Sequence, residues 1–244
     1  MPATLFVSDL HLSPARRPLV AAFHALIDGP ARGAAGLYVL GDLFDVWLGD
    51  DQLREPLAAA VVRALAGLAG SGVPLYVQRG NRDFLLDERF GRACRATLLP
   101  ERVVHEVQGT PTLLMHGDLL CTDDVEYQRF RAYWQDPVRR RRAQSRPYFV
   151  RKMVAGLMRF GSRRATAAKP EVIMDVNADA VVAEFREHGV SRLIHGHTHR
   201  PARHELKVDG RTCERWVLAD WYRVASYLEV SANGVVPRTI GQQA

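Results

Sequence analysis

An α/β fold is what three features of this 244-residue sequence predict: short apolar runs alternating with helix-like stretches, a polar cluster directly after each run, and further β-like segments near the C-terminus. The first strand is Thr4-Leu5-Phe6-Val7, running into Ser8-Asp9-Leu10-His11. The second is Leu37-Tyr38-Val39-Leu40, running into Gly41-Asp42. A helical stretch from Leu57 to Leu68 leads to the third, Val73-Pro74-Leu75-Tyr76-Val77, which ends at Gly80-Asn81-Arg82-Asp83. Ligands of open α/β sheets sit at the carboxyl ends of strands, so these clusters are expected to converge. Thr112-Leu113-Leu114-Met115 then runs into His116-Gly117-Asp118, and Arg192-Leu193-Ile194 into His195-Gly196-His197-Thr198-His199. After Pro201, Trp216-Val217-Leu218 and Ser226-Tyr227-Leu228-Glu229-Val230 suggest a second sheet packed on the first.

The simplest organisation is one domain over residues 1–244, with a helical insertion over 123–170 broken at Pro137 and Pro147. Within the insertion, Phe149, Val150, Met153, Val154, Leu157 and Phe160 recur at helical spacing, predicting a cationic amphipathic helix able to act as a lid. A helix from Ala178 to Glu187 starts at Asn177 and stops at Gly189.

Composition narrows the function classes. With 47% hydrophobic and 25% charged residues, the chain can bury a sizeable core. Its N-terminus lacks the basic and apolar regions of a signal peptide, and no run approaches the ~20 apolar residues of a membrane span. Cys94, Cys121 and Cys213 have neither even number nor CxxC spacing, which argues against a disulfide framework or thiolate zinc site and suits a reducing cytoplasm. The net charge of +6 is uneven, with no acidic residue between Asp136 and Glu171 and eleven Arg or Lys there. Such a field favours a polyanionic partner, whether phosphate-bearing lipid, anionic membrane or nucleic acid.

Asp-x-His, Gly-Asp, Gly-Asn, His-Gly and Gly-His-x-His, each after a strand, form a metal-ligating constellation. A pair of divalent ions about 3.5–4 Å apart needs a short bridging carboxylate and several neutral ligands. Oxygen and imidazole donors without thiolate suit Mn²⁺, Fe or Zn²⁺ better than Ca²⁺.

This set resembles the signature of the calcineurin-like metallophosphoesterases, whose fold is an αββα sandwich of two packed mixed β-sheets flanked by helices. The resemblance implies that Asp42 bridges two ions, that Asp9, His11 and His199 complete one site, and that Asn81, His116 and His197 complete the other. A hydroxide held between the ions is the implied nucleophile.

Where many such enzymes carry a histidine after Gly-Asn, this chain carries Arg82, which can clamp phosphate but cannot act as a general acid near neutral pH. A diphosphate, with its ready leaving group, is the substrate type this favours. With Leu40 to Asp45, Cys121-Thr122-Asp123-Asp124, Ile173 to Asn177 and Ile194 to Pro201, the chain is similar to the UDP-2,3-diacylglucosamine hydrolases of lipid A synthesis. That similarity implies attack at the α-phosphorus, two Mn²⁺ ions, catalytic roles for Asp42, Asn81, Arg82 and His116, and a UDP-linked diacylated glucosamine substrate. It implies substrate contacts at Asn81, Arg82, Asp124, Ser162, Thr166, Lys169 and His197, with Thr166 where the family often has asparagine. It also implies a cytoplasmic protein meeting the anionic inner face of the inner membrane, with no nucleic acid partner. The residues themselves leave open a two-metal phosphoesterase acting on another substrate, and a basic nucleic-acid-binding module.

Overall fold

A computed structural model describes residues 1–156 and 175–241. Two mixed sheets pack face to face. The first has the order β11-β10-β1-β2-β3-β4, where β1 (Thr4–Val7), β2 (Gly36–Leu40), β3 (Leu75–Gln78) and β4 (Thr97–Leu99) are parallel. At its other edge β10 (Ser226–Ser231) and β11 (Gly234–Thr239) run antiparallel. The second has the order β5-β6-β7-β9-β8, from β5 (Val103–Val107), β6 (Thr110–Leu114), β7 (Arg192–His195), β8 (Ala202–Val208) and β9 (Arg211–Val217).

Alternation along the strands explains the layering, because successive side chains point to opposite faces. Phe6, Tyr38 and Leu40 of the first sheet meet Leu114 and Ile194 of the second in the inter-sheet core. Their neighbours Leu5, Val7, Leu37 and Val39 face outward onto α1 (Arg17–Asp28), α2 (Pro56–Gly70) and α3 (Glu88–Cys94). On the far side Leu113, Met115 and Leu193 pack on Val181 and Phe185 of α7 (Ala178–His188), completing the αββα sandwich. Asn177 caps α7 through Asp179 and Ala180 N–H, and Gly189 ends it at φ 65°.

One expectation changes. The Ser226–Val230 strand does not belong to the second sheet but pairs with β1, and the five ligand-bearing strand ends divide three and two between the sheets. Periodicity reports that a strand is half-buried, not which sheet it joins.

The described part of the insertion holds three helices, with breaks at both prolines: α4 (Val125–Gln135), α5 (Pro137–Gln144) and α6, described over residues 148–156. No residue of α4 or α5 is buried, and among residues 148–156 the buried one is Arg151, which is not a member of the apolar stripe. Arg151 donates to the Leu48 carbonyl and the Asp51 carboxylate, while Tyr148 Oη donates to Glu55 at 2.6 Å. Phe149 and Met153 are 73% and 60% exposed, so α6 is held onto the 48–55 loop by polar contacts. Leu157, Phe160, Ser162, Thr166 and Lys169 lie outside the described residues. No helix among the described residues is long and apolar enough to cross a membrane.

Candidate active site

All seven expected ligands meet at the carboxyl ends of the central strands. Asp9 and His11 follow β1, Asp42 follows β2, Asn81 follows β3, His116 follows β6, and His197 and His199 follow β7. Five of them, Asp9, His11, Asp42, His197 and His199, have positive φ between 47° and 70°. Non-glycine residues rarely adopt this region, and the cost is tolerated where surrounding contacts over-determine the backbone. Those contacts are visible: Asp9 N–H donates to Gly41 O, His11 N–H to Asp42 O and His197 N–H to Asp9 Oδ2.

Two donor groups emerge. Asp9 Oδ1 lies 3.1 Å from His199 Nε2 and 3.8 Å from His11 Nε2, and the two imidazole nitrogens are 3.5 Å apart. Asn81 Oδ1 lies 3.0 Å from His116 Nε2 and 3.2 Å from His197 Nδ1. Asp42 stands between the groups, with Oδ2 3.8 Å from His11 Nδ1 and Oδ1 3.9 Å from His116 Nε2. Each carboxylate oxygen thus lies near a histidine of a different group, and Oδ1 also accepts from Arg82 N–H at 2.8 Å.

The donor set fits divalent cations. An ion about 2.1 Å from each ligand places neighbouring donors about 3.0–3.4 Å apart, close to the spacings within each group. His116 Nδ1 is 2.9 Å from the Leu40 carbonyl, so it carries the ring proton and a neutral His116 turns the Nε2 lone pair toward Asn81 Oδ1. With the ring neutral, two lone pairs would face each other there, and either a proton or a cation between them removes the repulsion. His11 Nδ1 is buried without a hydrogen-bond partner, another donor aimed into the site.

The charge states of His11, His197 and Asp9 suit ligation, whereas Asp42 and His116 shift toward their protonated forms. Burial pushes the His11 imidazole down to about 3 and His197 down to about 4, keeping both neutral as ligands must be. Burial works to raise Asp9, but the His199 hydrogen bond and the neighbouring imidazoles hold it well below the carboxylate range. For Asp42 burial prevails and raises it, helped by Asp83 and Asp9. Burial disfavours charge on His116, yet Asp42 and Asp9 beside it lift it to about 9, so a proton sits where a cation would.

Glycines permit the convergence. A Cβ on Gly80 would overlap Asp42 Oδ1, and one on Gly196 would overlap Ser8 Oγ and Asp9 Oδ2.

Several supporting residues carried no expected role. Asp83 is fully buried and accepts from Gly80, Asp42, Leu43 and Phe44 N–H, tying the loops after β2 and β3 together. Its place in Gly-Asn-Arg-Asp was the available signal. Buried His195 sits between Gly196 O at 2.8 Å and Arg215 Nη1 at 3.1 Å. Asp118, also buried, accepts from Tyr127 Oη and Arg131 Nε and so anchors α4 to the site.

The donor groups open into a cavity of about 1300 Å³. Arg82 lines it, with Nε 3.9 Å from Asp42 Oδ2 and Nη1 3.7 Å from Asp45 Oδ1. Away from the ligands the wall combines apolar side chains, Phe84, Leu85, Phe130, Trp134, Val150 and Val154, with the arginines Arg139, Arg142 and Arg146. Asp124 also lines the cavity, while its carboxylate caps α4 through Tyr127 N–H.

The profile of the calcineurin-like phosphoesterases matches residues 3–201, which spans every ligand. The chain belongs to the calcineurin-like phosphoesterase family. The hydrolase fold of this family and its clustered side chains, Asp9 with His11 and His199 and Asp9 with Asp42 and His116, fit a divalent metal. A UDP-2,3-diacylglucosamine hydrolase of Aromatoleum aromaticum is 50% identical over 95% of this chain and 94% of its own. Proteins of the same name from Escherichia coli O81 and Stenotrophomonas maltophilia are 47% and 46% identical, covering 96% and 95% of this chain and 97% and 96% of theirs. Among solved structures, the E. coli phosphoesterase Yfce aligns with a TM-score of 0.50 at 16% identity, covering 99% of this chain and 95% of that one, which speaks to the fold.

Proposed function

We propose that this phosphoesterase hydrolyses the diphosphate of UDP-2,3-diacylglucosamine at the α-phosphorus, releasing UMP and 2,3-diacylglucosamine 1-phosphate for lipid A synthesis. The observation that carries this reading is the single cavity joining the ligands to an apolar wall, since a diphosphate with two acyl chains needs both. The 46–50% identity to proteins named for this activity supports it.

Two Mn²⁺ ions, when bound, would supply Lewis acidity and an acidified water at the phosphorus. Asp9, His11, Asp42 and His199 would hold one, and Asp42, Asn81, His116 and His197 the other. Arg82 lies at the cavity edge, where its guanidinium clamps the diphosphate oxygens. Because it cannot deliver a proton, the bond between the α-phosphorus and the bridging oxygen breaks to leave a phosphate monoester that needs none. Asn81 and His197 reach the same oxygens, and Asp124 the sugar or base. Ser162, Thr166 and Lys169 are the remaining contacts of this reading.

The apolar wall takes the acyl chains, each buried methylene contributing about 0.8 kcal/mol. The exposed Phe149 and Met153 of α6, in a stretch rich in arginine, suit peripheral contact with an anionic membrane. We place the protein in the cytoplasm, against the inner face of the inner membrane.

Incubation of metal-loaded protein with UDP-2,3-diacylglucosamine tests the reading directly. UMP and the lipid phosphate should appear together, with heavy oxygen from labelled water in UMP. Label in the lipid product, or turnover confined to model phosphodiesters and oligonucleotides, would overturn it.

A further inference from the structure

Three consecutive residues after β9 each touch a different member of one donor group. Asp220 Oδ2 lies 3.4 Å from His199 Nδ1, the ring nitrogen opposite the one facing Asp9. Trp221 N–H donates to the Asp9 carbonyl at 3.2 Å. The Tyr222 ring stacks on His11 with centroids 4.9 Å apart and planes 20° from parallel. Trp221 itself is fully buried, with Nε1 donating to Ser226 O at 2.8 Å, so the segment is fixed at its middle. The Arg16 guanidinium lies 4.1 Å from the Tyr222 centroid, adding a cation–π contact to that ring. The other donor group draws its support elsewhere, His116 from the Leu40 carbonyl and His197 from the Tyr127 ring 5.7 Å away.

We propose that Asp220-Trp221-Tyr222 is a brace that sets the affinity of the Asp9, His11 and His199 site for its ion, leaving the Asn81, His116 and His197 site largely independent. The inference rests on the two-ion reading above and assigns positioning roles to residues beyond the stretch matched by the family profile. The carboxylate of Asp220 fixes which His199 nitrogen carries the proton, so the other keeps its lone pair for the metal. Tyr222 acts by shape: a flat ring against His11 restricts rotation of an imidazole whose backbone is already in a strained region. Losing either support leaves the ligands present but free to turn, and loss of such outer partners typically weakens metal binding about 10- to 100-fold.

The test is Mn²⁺ titration of the chelator-stripped, full-length protein by calorimetry, with bound ions counted by atomic absorption. Wild type should bind two ions. Asp220→Ala and Tyr222→Ala should each bind one ion as wild type does and the other about 10- to 100-fold more weakly. Tyr222→Phe should restore the second ion, because the stack needs the ring and not the hydroxyl. Tyr222 is 39% exposed, and thermal melts of the metal-free variants check that folding is retained. Equal weakening of both ions, unchanged binding of both, or failure of Tyr222→Phe to rescue would overturn the brace while leaving the two-ion reading intact. A wild-type protein that bound a single ion would overturn that reading, and the brace with it.

Discussion

The metal centre and the helical insertion are built by opposite rules. In the centre, Asp9, His11, Asp42 and His116 are buried, strained backbone is common, and each side chain answers to several partners. In the insertion, α4 and α5 bury no residue, and α6 is pinned chiefly through Arg151, Tyr148 and Lys152. The difference teaches where each task belongs. Chemistry needs donors held to fractions of an ångström, which packed strand ends supply. On the proposed reading, recognition of flexible acyl chains needs an adaptable apolar wall, which lightly anchored helices would supply.

Substitutions should separate the two regions, and the largest effect falls in the centre. Asp42→Ala removes the carboxylate whose two oxygens face the two donor groups. Turnover should fall about a thousandfold or more, with fewer than two ions retained by metal analysis, while the fold survives because the ligands sit on loops. Two tightly held ions in an active variant would contradict the assigned site.

Next comes Asp83→Ala, which strips the acceptor from four backbone N–H groups in two loops. Buried donors left without partners cost about 1–3 kcal/mol each, so denaturant unfolding should show a loss of about 3 kcal/mol or more. A loss below about 1 kcal/mol would mean that water or a shifted loop satisfies them.

Arg151→Ala should act on the other region. It frees α6 from Leu48 and Asp51, so limited proteolysis near residues 145–156 should accelerate, KM for the diacylated substrate should rise several-fold, and metal content should stay constant. Equal damage to metal binding would show that the two regions are not separable.

The mildest contrast is in acid. Burial pushes His195 down to about 3, with the Arg215 charge adding to the effect, against about 6.5 when unfolded. Between those values the unfolded chain binds the proton and the folded one does not, so this stabilisation is complete above pH 6.5 and is lost as pH falls toward 3. At pH 5 the loss should be about 2 kcal/mol. The difference between metal-free wild type and His195→Asn should therefore shrink from pH 8 to pH 5. Residues 123–170 contain no histidine, so proteolysis of the insertion should change little over the same range.

Much of the centre is legible in the sequence because strand ends impose order: a buried apolar run followed at once by Asp-x-His or Gly-Asp has few places to point. The insertion is legible as helix, and Pro137 does open α5. Its docking is not, since helical periodicity marks Phe149 and Met153 as a face without saying that Arg151 occupies the protein side. The same limit hides the pairing of β10 with β1, the contact of Asp220 with His199, and that of Tyr222 with His11 about two hundred residues away. Such facts reside in tertiary packing, which local spacing does not encode.

The division of labour itself is tested most directly by comparing two substrates on one variant. Trp134→Ala combined with Val154→Asn alters the apolar wall without touching any ligand. The expected result is a fall of about tenfold or more in kcat/KM for UDP-2,3-diacylglucosamine, because several methylenes lose cover, with hydrolysis of an acyl-free phosphodiester unchanged. Equal slowing of both substrates in folded, metal-replete protein would contradict the account and make the insertion a support for the centre.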